Sequence, residues 1–211
     1  MNIVFDFGAV LFTWKPAELL AKHFPQQAFD AQAAAALAHA IFGHADWHSF
    51  DRGTLILDEV VTRTADRLSL DATVLENMVA AISDHLAPIA ATVDILERLH
   101  RLRGQRPALR LYYLSNMPVP YARGLEQRHA FLQWFDGGIF SGDVQITKPD
   151  KAIYQLLQAR YALDPLQTVF IDDLKANILA ARALGWRGIH FESPQQLQAE
   201  LAALDIIGKT T

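Results

Sequence analysis

The sequence contains no cysteine, which excludes disulfides, thiolate nucleophiles and cysteine-ligated metals. No apolar run approaches the roughly 20 residues that span a bilayer. An excess of positive charge is also missing. The 19 basic residues against 23 acidic ones leave a net charge of −4, which gives no general attraction to nucleic acid or an anionic membrane. No basic, apolar leader opens the chain, and a cytoplasmic protein is expected. Internal repeats and long linkers are absent. What remains is an ordinary globular composition, 51% apolar and 20% charged over 211 residues. That length buries a full core in one domain, or in one domain with an insertion.

Two apolar runs far apart in the chain each end on carboxylates. Asn2-Ile3-Val4-Phe5 leads into Asp6-Phe7-Gly8, and Thr168-Val169-Phe170-Ile171 leads into Asp172-Asp173. Continuous β-branched and aromatic runs read as buried parallel strands. Open α/β sheets place their sites just past the strands' carboxyl ends. Converging carboxylates repel unless a cation or a proton intervenes, so the pairing predicts a metal-assisted site.

Between these runs the hydrophobic pattern changes once. Residues 16 to about 86 read as helices: one opening at Pro16, one from Ala28 to Phe42, one from Thr54 to Leu68, and one capped by Asp71 and reaching Leu86. From Ile89 onward, helices and strands alternate. Strands are expected at Leu109–Leu114, near Gly138–Phe140, at Val169–Ile171 and at Arg187–Phe191. Asp150 begins a helix, Leu174–Leu184 forms another that stops at Gly185, and Ser193-Pro194-Gln195-Gln196 is a capping box for the last. This order fits an α/β fold, a doubly wound parallel sheet with an inserted all-helical domain. The core would comprise residues 1–14 and 87–211, and the helical cap residues 15–86.

Four stations then stand at strand ends or helix starts: Phe5-Asp6-Phe7-Gly8-Ala9-Val10-Leu11, Leu114-Ser115-Asn116, Thr147-Lys148-Pro149-Asp150, and Ile171-Asp172-Asp173 followed by Asn177, Ala180, Ala181 and Gly185. In this order they resemble the haloacid dehalogenase (HAD) superfamily of phosphohydrolases, across the whole chain. The Asp-x-Gly-x-Val form of the first motif is similar to a capped branch that includes sugar-1-phosphate phosphatases. The resemblance implies a Mg²⁺-dependent phosphatase acting on a small phosphorylated metabolite, with a sugar phosphate favoured. In that reading Asp6 is the nucleophile and forms an aspartyl-phosphate. Ser115 and Asn116 donate to phosphate oxygens, and Lys148 neutralises the phosphate and Asp6. Mg²⁺ is held by Asp6, the Gly8 carbonyl and the aspartate pair, with Asp173 the direct ligand and Asp172 orienting a bound water or Lys148. Asn177 and Gly185 are read as packing and helix-end residues. The oligomeric state has no signal in the sequence.

The resemblance has one gap. Family phosphatases usually carry a second aspartate two residues after the nucleophile, which protonates the leaving alcohol; here that position is Gly8. Three readings stay open. An anomeric leaving group needs little protonation; a cap residue among His44, Asp46, His48 and Asp51 supplies the proton; or the protein is a weakly active or non-catalytic phosphometabolite binder. A 2-haloacid dehalogenase is a further alternative, but it leaves the Asp172-Asp173 pair unexplained. In the cap, the segment from Phe42 to Gly53 looks like a loop or helix end. Its Trp47 and Arg52 are candidates for substrate contact, with cap core as the alternative for Trp47. Trp14, at the hinge, either touches substrate or belongs to the linker. The arginines at 98, 101, 103, 106 and 110 read as a solvated face.

Overall fold

The computed structural model describes residues 1–208. Five strands, β1 (Asn2–Phe5), β2 (Arg110–Ser115), β3 (Gly137–Phe140), β4 (Thr168–Asp172) and β5 (Arg187–His190), form one parallel sheet in the order β3-β2-β1-β4-β5. Its two faces follow the alternation of side chains along each strand. Ile3, Phe5, Leu111, Val169 and Ile171 belong to one buried cluster, with Ile95 and Leu99, and Leu197 and Leu201. Val4, Tyr112, Leu114 and Phe170 belong to a second, with Tyr154, Leu157 and Ile178. The strands are therefore buried on both faces, as their uninterrupted apolar runs require.

The first six helices after β1 are α1 (Pro16–His23), α2 (Ala31–Phe42), α3 (Ala45–Arg52), α4 (Leu57–Leu68), α5 (Ala72–Ala80) and α6 (Ile82–His85). The remaining helices, α7 (Ala90–Leu102), α8 (Val119–Arg128), α9 (Ser141–Val144), α10 (Lys151–Tyr161), α11 (Lys175–Arg182) and α12 (Pro194–Ala203), alternate with the strands. The outgoing and returning chains run side by side. Thr13 N–H donates to Ala87 O at 2.8 Å, and Ile89 N–H to Leu11 O at 2.8 Å. No helix among the described residues is long and apolar enough to cross a membrane.

The caps expected at Asp71, Asp150 and Ser193 all accept a backbone N–H in the following turn. Three local expectations differ. The alanine-rich helix begins at Ala31, because Asp30 accepts from Ala33 N–H at 2.7 Å and so fixes its start. The helix from Asp71 does not run unbroken to Leu86: the ladder ends at Ala80 and resumes for one short helix at Ile82. The polar stretch after Gly43 is the helix α3, capped by His44 Nδ1 accepting from Asp46 N–H and stopped by Gly53 at φ +77°. Four of the five arginines near α7 also do more than meet solvent. Arg101 pairs with Glu97 one turn before it. Arg103 bonds Asp136 and the Trp134 carbonyl, Arg106 the carbonyls of Asp205 and Ile206, and Arg110 that of Pro107.

Gly138 shows how tightly β3 meets its neighbour. A Cβ there would lie 2.4 Å from the ring of Tyr113, the residue opposite it on β2. Gly138→Ala should therefore cost about 1–3 kcal/mol through overpacking, read as a lower urea midpoint with an unchanged slope. A midpoint equal to the parent's would mean that the Tyr113 ring yields without penalty.

Candidate active site

The site forms because β1 and β4 are neighbours in the sheet. Phe5 is opposite Ile171, and Asp6 N–H donates to Ile171 O at 2.9 Å, so Asp6 and Asp172 leave the sheet side by side. Ser115 ends β2 on the other flank of β1. Beneath the loop after Asp6, Phe7 packs against Phe12, Tyr113, Phe135 and Phe140, with centroids 5.2–6.2 Å apart. This buried aromatic anchor turns the chain back, with Leu11 and Phe12 N–H both donating to Phe7 O.

Lys148 lies at the centre. Its Nζ is 2.8 Å from Asp6 Oδ1 and 2.7 Å from Asp172 Oδ2, and the ring of Phe170 sits 5.5 Å from it. Both partners are held from behind. Asn116 grips the Lys148 backbone twice, accepting from its N–H at 2.8 Å and donating to its carbonyl at 3.0 Å. Asn177 donates to both oxygens of Asp172, at 2.9 and 3.0 Å, and Leu174 N–H adds a further bond at 2.8 Å. Carboxylate oxygens of Asp6, Asp172 and Asp173 lie within 4.8 Å of one another, a hard-oxygen cluster that could hold a metal ion.

Burial dominates the electrostatics. It pushes the Asp6 carboxyl up to about 7; Lys148 opposes the shift, while Asp172 and Asp173 add to it. Asp173 is raised to about 6, by burial first and then by Asp172. Burial would lower the Lys148 ammonium, but Asp172 and Asp6 more than offset this and hold it above its ordinary value. The cluster thus carries more negative charge than one ammonium satisfies.

A cavity of about 280 Å³ opens above these groups, between the sheet's carboxyl end and the helical insertion. Asp6, Gly8, Ser115, Asn116, Lys148 and Asp173 line its floor. Trp14, Phe42, Trp47, Ile82, Leu86 and Tyr121 line the roof, with Asp51 and His48 beside them. Trp47 packs edge-on against Phe42 and Phe50, at 4.6 and 5.4 Å, so it serves cap core and cavity wall together.

Several expected residues come together here and some do not. Asp6, Gly8, Ser115, Lys148, Asp173 and Trp47 all reach the cavity, as does Trp14. Arg52 does not line it: it is exposed and turns to Thr147, because α3 presents the preceding residue inward. Asn116 reaches the cavity, but its amide carbonyl and one amide N–H are committed to Lys148. Asn177, read as packing, is a direct partner of Asp172. Among the four polar cap candidates, Asp46 turns away to Arg63 and His44 caps α3, which leaves His48 and Asp51 at the cavity. Met117, Pro118 and Tyr121 escaped notice because α8 is masked by prolines, although proline in a first turn is itself a helix-start signal.

A sequence profile described as haloacid dehalogenase-like hydrolase matches residues 3–185. The sesquiterpene phosphatase astK of Aspergillus oryzae is 27% identical over 201 residues, covering 95% of this chain and 94% of that protein. The validoxylamine A 7'-phosphate phosphatase of Streptomyces hygroscopicus subsp. limoneus is 31% identical over 131 residues, 62% of this chain and 59% of that one. Among solved structures, a HAD family enzyme from Bacteroides thetaiotaomicron superposes with a TM-score of 0.69 over 90% of this chain and 93% of its own, at 20% identity, a likeness of fold.

The raised Asp6 carboxyl has a consequence for stability. Between 3.8 and about 7 the folded protein keeps a proton there that the unfolded chain has released. Stability contributed by that proton is present at low pH and lost as pH rises through the folded value. Urea unfolding in chelator should show wild-type stability falling relative to Asp6→Asn across this window. A difference that stays flat would contradict the charge crowding.

Proposed function

This chain belongs to the haloacid dehalogenase-like hydrolases and hydrolyses phosphoric monoesters, and we propose that its substrate is the monophosphate of a small, largely apolar alcohol. The observation that carries this reading is the pairing of a charged floor with an aromatic and aliphatic roof. Lys148, Asp6 and Asp173 share one cavity with six large apolar or aromatic side chains, Trp14, Phe42, Trp47, Ile82, Leu86 and Tyr121. A sugar would leave most of its hydroxyls facing carbon there, and buried polar groups without partners are costly. An apolar group gains from the same surface. The astK relative, named for a sesquiterpene, agrees with this direction. The sugar-phosphate reading keeps one support, the validoxylamine phosphate of the second relative, and is carried as the competing substrate.

Within this reading Asp6 attacks phosphorus and holds the phosphoryl group as an acyl phosphate until water releases it. Ser115 and the backbone at Asn116 donate to the phosphate oxygens. The Asn116 amide fixes the Lys148 backbone, and Lys148 balances both Asp6 and the incoming phosphate. Asp6, Asp173 and the Gly8 carbonyl are the residues that would hold Mg²⁺, while Asp172, saturated by Asn177, Leu174 and Lys148, positions that lysine. The metal supplies positive charge against the phosphate oxygens. Residues 15–86 form the cap that covers the substrate's organic part.

Asp6→Asn should abolish phosphate release, because an amide is a poor nucleophile; a normal rate would remove the mechanism. With Mg²⁺ present, n-octyl and farnesyl phosphate should exceed glucose 1-phosphate in kcat/KM by at least about tenfold, taking a few buried methylenes at roughly 0.8 kcal/mol each. Preference for glucose 1-phosphate would restore the sugar reading. Release from none of them, nor from p-nitrophenyl phosphate, would favour a non-catalytic binder, and chloride release from 2-chloropropionate in chelator would favour a dehalogenase.

Mg²⁺ binding should tighten as pH rises from about 6 to above 7, since the raised carboxyls of Asp173 and Asp6 must lose their protons to ligate. Calorimetric titration at two pH values measures this. Affinity independent of pH would place the ion elsewhere.

A further inference from the structure

Gly8 leaves the position two residues after Asp6 without a carboxyl, and the space it leaves is real. A Cβ built there would meet no atom within 4 Å. An alkoxide leaving group is strongly basic, so expelling it unprotonated is slow. We propose that Asp51, carried on the cap helix α3, is the general acid that protonates the leaving oxygen in place of the side chain Gly8 lacks. The assignment rests on the phosphatase reading above.

Four observations place Asp51 for this work. It lines the same cavity as Asp6 and Gly8, and it comes from the inserted helix α3 rather than from a strand end. Its backbone is pinned to the phosphate-binding end of the sheet by the buried Ser141, whose hydroxyl donates to Asp51 O and accepts from Met117 N–H at 2.8 Å. The two residues that follow Asp51 are tied down as well. Arg52 bonds Thr147, next to Lys148 in the chain. Gly53 lies so close to α9 that a Cβ on it would come within 2.7 Å of Gly142 O. Finally, the titratable groups facing Asp51 are Lys148 from the core, Tyr121 from α8 and His48 from its own helix. Burial keeps the Asp51 carboxyl well above the usual carboxylate range, against the pull of the Lys148 ammonium. That direction favours the protonated form a general acid needs.

The proton balance closes over one turnover. As the Asp6 oxygen bonds to phosphorus, the bond from phosphorus to the leaving oxygen breaks, and that oxygen takes the proton from Asp51. The Asp51 carboxylate then accepts a proton from water as the water oxygen bonds to phosphorus and the bond to Asp6 breaks. Alcohol and phosphate leave, and Asp51 is again protonated.

The test compares two leaving groups in Mg²⁺-loaded protein. Asp51→Asn should lower kcat for n-octyl phosphate by about 10²–10⁴-fold and for p-nitrophenyl phosphate, whose phenolate leaves without help, by less than tenfold. Adding Gly8→Asp to Asp51→Asn should restore at least tenfold of the lost octyl activity, which a merely structural role for Asp51 would not allow. Asp51→Ser serves the same comparison if the asparagine variant folds poorly. Equal losses on both substrates, an unchanged octyl rate, or the leaving-group-dependent loss appearing in His48→Gln instead would each overturn the assignment. If the wild-type protein itself releases no phosphate from either substrate, it is the phosphatase reading that fails.

Discussion

A single buried ammonium holds the functional end of this molecule together. Lys148 stands between Asp6 and Asp172, with Asp173 a few ångströms away. With all three acids ionised, one ammonium would leave two negative charges, a surplus that a divalent ion would cancel. Buried ion pairs are costly to desolvate and survive only when hydrogen bonds satisfy what the pairing leaves over. The surroundings meet that demand: Asn116 clamps the backbone of the lysine, Asn177 saturates the aspartate, and Phe170 turns its face to the charge. Two asparagines that never meet the reacting atoms through their bonded groups are thus as necessary to the arrangement as the acids.

The division of labour between the two parts of the chain follows from burial. The sheet's strands are covered on both faces, so only their carboxyl ends are free to present polar groups. The helical insertion lays an apolar surface across those ends. Under the proposed function, phosphate chemistry and recognition of the organic group would fall to different segments of sequence. The first depends on charge and fixed geometry, the second on shape and carbon, and the cap can change its apolar residues without disturbing the lysine network.

Legibility in the sequence divides along the same line. The strands, the caps at Asp71, Asp150 and Ser193, and Asp6, Ser115 and Asp173 at the strand ends were legible, because buried parallel strands are continuous apolar runs and these residues stand where such runs end. Lys148, which lies beyond α9 rather than at a strand end, was legible only through the resemblance of Thr147-Lys148-Pro149-Asp150. The partner of Asp172 was not legible. Asn177 lies on a helix where its spacing looks like packing, and only the turn after β4 brings its amide to the carboxylate. The aspect of α3 was equally hidden. Asp46, His48, Asp51 and Arg52 are all polar, and which of them faces the cavity depends on how the helix is rotated against the core. That rotation is fixed by contacts from Ser141 and Gly142, some ninety residues away in the chain.

The hydroxyl of Ser141 has a kinetic meaning. It joins the carbonyl of Asp51 to the Met117 backbone beside Ser115 and Asn116, so on the proposed mechanism any movement of the cap away from the core would withdraw the Asp51 carboxyl with it. Nucleophile and proposed acid would then be complete only with the cap seated against the core. A phosphoryl group stranded on the enzyme while the cap stands ajar would meet bulk water without a base to activate it. Timing of turnover, and protection of the covalent intermediate, would be governed by a serine that touches no substrate.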